Sequence, residues 1–327
     1  MLLSIDIGGT KLALATADRD RFVRSGALER IVKEPIPGRG DPAAVLARVE
    51  AIARELLGDE RPERIGIAIG GPLDHARGVV VNFPHLPEWR DVPLVDLIAH
   101  RLGAPAALDN DANLGALAEH RFGAGRGADP FLYVTHSTGI GGGIVIGGAL
   151  LHGVATGAAE VGHVTVKSDG PLCDCGNRGC LERMASGTNI ARTVRERIRE
   201  RTEEGAFLIA IAGDVDAITT HHVVEGYRQG DPLSTEIWTE AIDYLAVGLG
   251  SMIHVIAPRT IAIGGGVALA GDALFVPLRE ALRKHVFYVR LDLIDVVPAE
   301  LGHDSALIGG MVLAEGVGGQ GSGVREE

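Results

Sequence analysis

Three thiols and an imidazole stand close together in the chain: Glu160-Val161-Gly162-His163 is followed ten residues on by Cys173-Asp174-Cys175-Gly176-Asn177-Arg178-Gly179-Cys180, which holds every cysteine of the protein. Three thiolates and one imidazole complete a tetrahedral zinc shell. A closed set of this kind is structural, because catalytic zinc keeps a position open for water or substrate. A disulfide would orphan the third thiol, whereas three metal ligands suit a reducing cytoplasm. Zn2+ held by His163, Cys173, Cys175 and Cys180 is therefore expected as scaffold. The groups it would hold in place are the flanking carboxylates, Glu160 and Glu182.

A second chemistry is written in glycine. Asp6 leads into Gly8-Gly9-Thr10-Lys11, and Ser137 leads into Thr138-Gly139-Ile140-Gly141-Gly142-Gly143. Such turns expose successive backbone N–H groups and lack the Cβ atoms that would keep a phosphate away. A tight hairpin without ligand is the alternative for either turn alone. The pair, together with Gly264-Gly265-Gly266 behind an apolar strand, favours a nucleotide. G-x-x-x-x-G-K-[ST] does not occur, and no glycine run behind a strand reads G-x-G-x-x-G, so P-loop and Rossmann readings drop away. Asp6 would hold Mg2+ directly or through water, with Thr10 and Lys11 adding a hydroxyl and a charge. A turn-stabilising Asx contact suits Asp6 less, since Ile5 and Ile7 flank it in a strand-like run. Leu108-Asp109-Asn110-Asp111-Ala112-Asn113 leaves a strand and enters a helix, where open α/β sheets present their ligands. Helix capping is the plain alternative, but three polar groups plus Asp109 exceed what one cap needs.

The elements that must position these groups follow an α/β alternation. A strand, glycine turn and strand open the chain. Helix 42–57, strand 65–69, a Pro-rich loop 83–93, helix 94–102, strand 106–108 and helix 112–122 complete a first unit. Gly123 to Gly127 reads as a hinge. The pattern restarts with strand 131–136, a glycine turn through Gly143 and strand 144–146. Helices 186–201, 216–229 and 232–256, strand 260–263, helix 272–285, strand 293–296 and helix 305–314 follow. The predicted domains are 1–120 plus about 303–317, 121–302, and a flexible glycine-rich tail at 318–327. Two units that each open on a glycine-turned hairpin suggest a duplicated fold with a cleft between the halves, where ligands bind.

Composition excludes several classes. A net charge of −12 over 327 residues argues against nucleic acid, which needs a basic face. The one basic run, Arg192 to Arg201, alternates with glutamate and reads as a solvated helix face. The N-terminus lacks the features of a signal peptide, and the apolar run at 244–256 is broken by Gly and His, so a cytoplasmic protein without a membrane span is expected.

Asp6-Ile7-Gly8-Gly9-Thr10-Lys11, Asn110-Asp111, Ser137 to Gly143, Glu160-x-x-His163 and Cys-x-Cys-Gly-x-x-Gly-Cys-x-Glu182 together resemble the ROK family of sugar kinases and sugar-responsive repressors, in family order from residue 4 to about 315. The resemblance implies a two-domain ribonuclease-H-like, actin-type ATPase fold with an interdomain cleft that closes over sugar and ATP-Mg2+, helix 305–314 packing back onto the first domain. It implies that Asp111 is the general base, that Gly71, Asn110, Glu160, His163 and Glu182 contact the sugar, and that Gly8, Gly9, Thr138, Gly139, Gly141, Gly265 and Gly266 serve ATP. It implies a homodimer or homotetramer. Repressors of the family carry an extra N-terminal helix-turn-helix, for which this chain leaves no room, so phosphorylation of a hexose hydroxyl is expected, with glucose at O6 leading. N-acetylmannosamine, N-acetylglucosamine and fructose are the alternatives, and a silent sugar sensor stands behind them. Three positions depart from the family: His85 stands where a sugar-contacting Asn is expected, Gly70 replaces a usual proline, and Ala159 replaces the usual glycine before Glu160.

Overall fold

The computed structural model describes residues 1–83 and 86–316. The expected sugar contact His85 and the tail at 318–327 lie outside the described residues. The chain divides into two compact units, the first comprising Met1–Arg126, Ala149–Ala158 and the segment from His303, the second Gly127–Gly148 and Ala159–Gly302. The excursion Ala149–Ala158 thus groups with the first unit, although its place in the chain had put it in the second.

The first unit opens with strands β1 (Leu2–Ile7) and β2 (Lys11–Ala17), paired antiparallel across the glycine turn. Helix α1 (Arg19–Ser25), strand β3 (Arg30–Pro35), helix α2 (Pro42–Leu57) and strand β4 (Arg64–Ile69) follow. A small antiparallel sheet of β5 (Leu73–Asp74), β6 (Val79–Asn82) and β7 (Arg90–Val92) precedes helix α3 (Leu94–Leu102), strand β8 (Ala106–Asn110) and helix α4 (Asp111–Phe122). The main sheet runs β3-β2-β1-β4-β8, with β1, β4 and β8 parallel. Helix α2 starts where it does because Asp41 accepts the Ala44 N–H and Pro42 takes the first turn, where its missing donor is harmless. The stretch read as a plain loop between Phe83 and Pro93 contains β7. That strand, α1, β3, β5 and β6 are short or mostly exposed, so hydrophobic period gave no signal for them.

The second unit repeats the plan. Strands β9 (Phe131–His136) and β10 (Ile140–Ile146) form an antiparallel hairpin. The chain then makes its excursion, beginning with β11 (Ala149–Leu150), before helices α5 (Leu181–Ala185), α6 (Gly187–Glu200), α7 (Ala206–Ala212), α8 (Thr220–Arg228) and α9 (Pro232–Ile256). Strand β12 (Thr260–Gly264), helix α10 (Asp272–His285) and strand β13 (Asp295–Pro298) complete it, β12 lying parallel to both β9 and β13. Helix α8 begins at Thr220 rather than at 216 because Thr219 and His222 satisfy each other's end groups in a capping box. Among the described residues no helix is long and apolar enough to cross a membrane.

Helix α11 (Ser305–Gly316) belongs to the first unit and packs on β1, β4 and α4. Alternation along the strands decides how. Leu3, Ile5, Ile7, Ile65, Ile67 and Ile69 join the α2 core, while small residues, Ser4 and Gly66, face α11. The approach is close enough to require glycine: a Cβ on Gly66 would lie 1.8 Å from the Gly310 carbonyl oxygen. Gly66→Ala is expected to cost about 1–3 kcal/mol or more through overpacking, read as a lowered melting temperature. Wild-type stability in that variant would show that α11 does not seat on β4 so closely.

Candidate functional site

Parallel register brings the acidic residues of the first unit to one end of its sheet. Asp6 on β1 pairs with Ala68 on β4, which pairs with Asp109 on β8. Asn110 and Asp111 follow at the carboxyl end of β8, beyond which α4 begins. Burial lifts Asp6 to about 7, the Asp111 carboxylate pushing it the same way and Lys33 opposing. Two carboxylates that repel each other in this manner gain from any positive charge brought between them. Lys33 is itself paired with Asp304. In the adjoining turn the Gly8 N–H donates to the Lys11 carbonyl at 2.9 Å, and Thr10 and Lys11 are exposed. Gly71, with φ +93°, follows the carboxyl end of β4.

The start of α4 is tightly organised. Asp109, only 1% exposed, accepts from the Asn110 N–H at 2.7 Å and from Asn113 Nδ2 at 2.9 Å through Oδ1. Its Oδ2 lies 2.6 Å from His152 Nε2. Asn110 does cap the helix, its Oδ1 accepting from the Ala112 N–H at 2.9 Å, and Asp111 Oδ1 accepts from the same N–H at 2.8 Å. Capping and function are therefore not alternatives here, because Asn110 caps through its Oδ1 alone and keeps its amide donors beyond the cap.

In the second unit the glycine turn is shorter than expected. Strand β10 starts at Ile140, so the turn is Ser137 to Gly139, and Gly141 is taken up in the β10–β9 ladder opposite Thr135. The correction has a physical reason: Glu182 Oε2 accepts from the Ile140 N–H at 2.9 Å, and a Cβ on Gly139 would meet that oxygen at 2.4 Å. Gly139 is needed for a carboxylate that the protein itself supplies. Thr138 stands in this turn, and the first N–H groups of α6 hold it from behind, Gly187 donating to the Ser137 carbonyl at 2.8 Å. His136 beneath it is driven down to about 4 by burial, so a neutral ring meets the Ala185 carbonyl at 2.7 Å. Gly265 and Gly266 follow β12, parallel to β9 and at the same end.

The four expected metal ligands converge. His163 and Cys173, Cys175 and Cys180 place their ligand atoms within 4.8 Å of one another. Cys175 Sγ and Cys180 Sγ are 3.6 Å apart, and Cys173 Sγ is 3.8 Å from His163 Nδ1. These are no disulfide distances. They match the edges, about 3.8 Å, of a tetrahedron with zinc–sulfur arms of about 2.3 Å. Burial pushes Cys180 up to about 12 and Cys173 upward as well, while the Asn177 backbone N–H lowers Cys175. Both buried thiols, Cys173 and Cys180, are thereby biased toward the protonated form, so metal binding would release protons there. His163 turns Nδ1 toward the thiols, which leaves Nε2 for another partner. Glu160 is exposed one turn earlier, and Ala159 before it has φ +62°, a left-handed conformation that explains why glycine is usual there.

Motif reading missed a pocket of 670 Å³ within the second unit, lined by Thr138, Gly187, Thr188, Val224, Gly266 and Leu269 among others. Leu269 is 75% exposed there. Arg195 and Arg228 border it but spend their guanidinium groups on the Ile218 and Ala270 carbonyls. The apolar wall suits a flat ring system, with the Ser137–Gly139 turn and Gly266 at its edge. The sequence signal lay only in small and hydroxyl residues at two helix starts.

The ROK family model matches residues 2–317. A glucokinase from Thermotoga maritima is 35% identical over 319 residues, which span 97% of this chain and 98% of that protein. An ROK family glucokinase from Streptomyces griseus, solved in complex with glucose and AMPPNP, is 34% identical with a TM-score of 0.80, covering 96% of this chain and 98% of that one. An ROK hexokinase from Thermus thermophilus is 32% identical with a TM-score of 0.80, covering 96% and 97%. The α/β architecture is that of the two-domain actin-type ATPases, and with a family match over nearly its whole length, the chain belongs to the ROK family.

Proposed function

We propose that this chain, an ATP-dependent sugar kinase, phosphorylates a hexose hydroxyl, with glucose at O6 as the leading substrate and Asp111 as general base. The observation that carries the assignment is the start of α4, where Asp109 and Asn110 order the backbone that bears an exposed Asp111 carboxylate, coupled in charge to Asp6. The sugar oxygen attacks the γ-phosphorus, its proton passes to Asp111, and ADP leaves with the bridging oxygen's electrons. Positioning and charge neutralisation supply most of the rate in such a transfer. Asp6 would hold Mg2+, and the ion supplies charge neutralisation on the phosphate oxygens when bound.

Asn110 offers its amide donors to the sugar, and Gly71 allows the chain to approach it. Glu160 offers its carboxylate, and Glu182 the oxygen not taken by the Ile140 N–H. His163 offers Nε2 to a hydroxyl while Nδ1 is held by the metal. Zn2+ on His163, Cys173, Cys175 and Cys180 would fix that ring, since the donor set and its spacing suit the ion. The nucleoside of ATP fits the apolar pocket, and the backbone N–H groups of Gly9, Thr10, Thr138 and Gly139, with Gly265 and Gly266, serve its phosphates, the Gly8 and Ser137 N–H groups closing the two turns.

A sugar panel with ATP and Mg2+, followed by mapping of the product, tests this reading. Transfer to O6 of glucose supports it, and transfer to an anomeric oxygen overturns it. Asp111→Asn is expected to lower kcat by about 10²- to 10⁴-fold while glucose binding stays measurable by calorimetry. Normal turnover would remove Asp111 from the chemistry. Cys175→Ala, or chelation of the metal, is expected to raise the dissociation constant for glucose. Unchanged affinity in a metal-free protein would make the cluster a scaffold without influence on the sugar.

A further inference from the structure

We propose that His152 is a positioning residue for phosphoryl transfer, acting through Asp109 on the Asn110–Asp111 pair; this rests on the reading of Asp111 as base. A carboxylate buried as deeply as Asp109 must have its oxygens matched by donors. Oδ1 is matched by the Asn110 N–H and by Asn113, and Oδ2 by the N–H at His152 Nε2. With Oδ2 deprived of its donor, the carboxylate turns to find another, and the grip of Oδ1 on the Asn110 N–H goes with it. Asn110 caps α4 and Asp111 is its first residue, so the disturbance arrives at the reacting hydroxyl within one peptide unit.

His152 is supplied by the excursion that groups with the first unit, and its placement is itself braced. The His152 ring lies flat on His75, with centroids 3.8 Å apart and planes 10° from parallel. His75 Nδ1 is 2.9 Å from Thr156 Oγ1, four residues beyond His152. Ala155 and Thr156 are both left-handed, with φ +51° and +59°, so the excursion holds a strained turn between its two contacts with the first unit's side chains. Burial, then the neighbouring His152, hold His75 below the usual histidine range. The arrangement delivers one imidazole N–H to one buried oxygen.

Two substitutions separate this role from plain packing. His152→Phe keeps a ring on His75 and removes the donor; His152→Gln restores an N–H donor without the ring. In His152→Phe, kcat for the hexose is expected to fall by up to about 100-fold, the effect of a small misplacement of reacting groups, with the KM for ATP unchanged. His152→Gln is expected to recover most of that loss although it melts no higher. Wild-type kcat in His152→Phe, or equal impairment of both variants, overturns the proposal. Should the wild-type protein phosphorylate no hexose, it is the kinase reading that falls. The pair is then read by imidazole NMR: a slowly exchanging His152 Nε2–H in the wild type supports it, and a freely exchanging one overturns it.

Discussion

A buried carboxylate without donors is among the costliest things a fold can contain, and Asp109 is the place where this protein meets that constraint. Its three donors come from the next residue, from the first turn of α4, and from a segment more than forty residues away in the chain. Satisfying one charge therefore fixes the end of β8, the start of α4 and the course of Ala149–Ala158 together. Asp111 inherits its position from this arrangement. The neighbouring Asp6 is left short of compensation, with burial and Asp111 both raising it to about 7. One acid is matched by donors of the protein, and the other is held near neutrality by burial and by a like charge.

The thiol cluster obeys the same rule by another route. Cys173 and Cys180 are buried, and the protein offers them too little positive charge to ionise. The loop between Val161 and Leu181 closes on itself around them, with Leu181 N–H donating to the Val164 carbonyl at 2.8 Å. Glu182 follows directly, and its Oε2 is fixed on the Ile140 N–H. The thiol cluster, the first turn of α5 and the glycine turn are thus one mechanical unit. Whatever orders the thiols also orders the backbone that follows β9.

The parts legible in the sequence were those that depend on neighbours in sequence. Helices α2, α3, α9 and α10 have the bounds that periodicity and end signals predict, because Asp41, Pro42 and Asp231 act within one turn of themselves. The cysteine spacing likewise announced its cluster. What escaped depends on approach across the fold. Gly139 reads as a phosphate turn whether the nearby oxygen belongs to a ligand or to Glu182, since a missing Cβ carries no label for what fills the space. His75 and His152 are single histidines in unremarkable stretches, and only the fold stacks them beside Asp109. The second-unit pocket is lined from the turn after β9, from α6, α8 and the turn after β12, none of which carries a motif for a ring system.

Ala159 shows how local strain can serve such a site. A left-handed alanine costs roughly 1–2 kcal/mol relative to an ordinary conformation, which the packing of its methyl group against the second unit's core offsets only in part. Its carbonyl accepts from the Val161 N–H at 2.7 Å, forming the tight turn that starts Glu160-Val161-Gly162-His163. A Cβ on Gly142 would lie 3.1 Å from the same carbonyl oxygen, so β10 presses on this turn from one side. Glycine at 159 would remove the strain but add backbone freedom in the unfolded chain. The alanine instead limits the conformations open to the residue before Glu160. The residue before Glu160 therefore trades strain in the folded chain for fewer conformations to lose on folding.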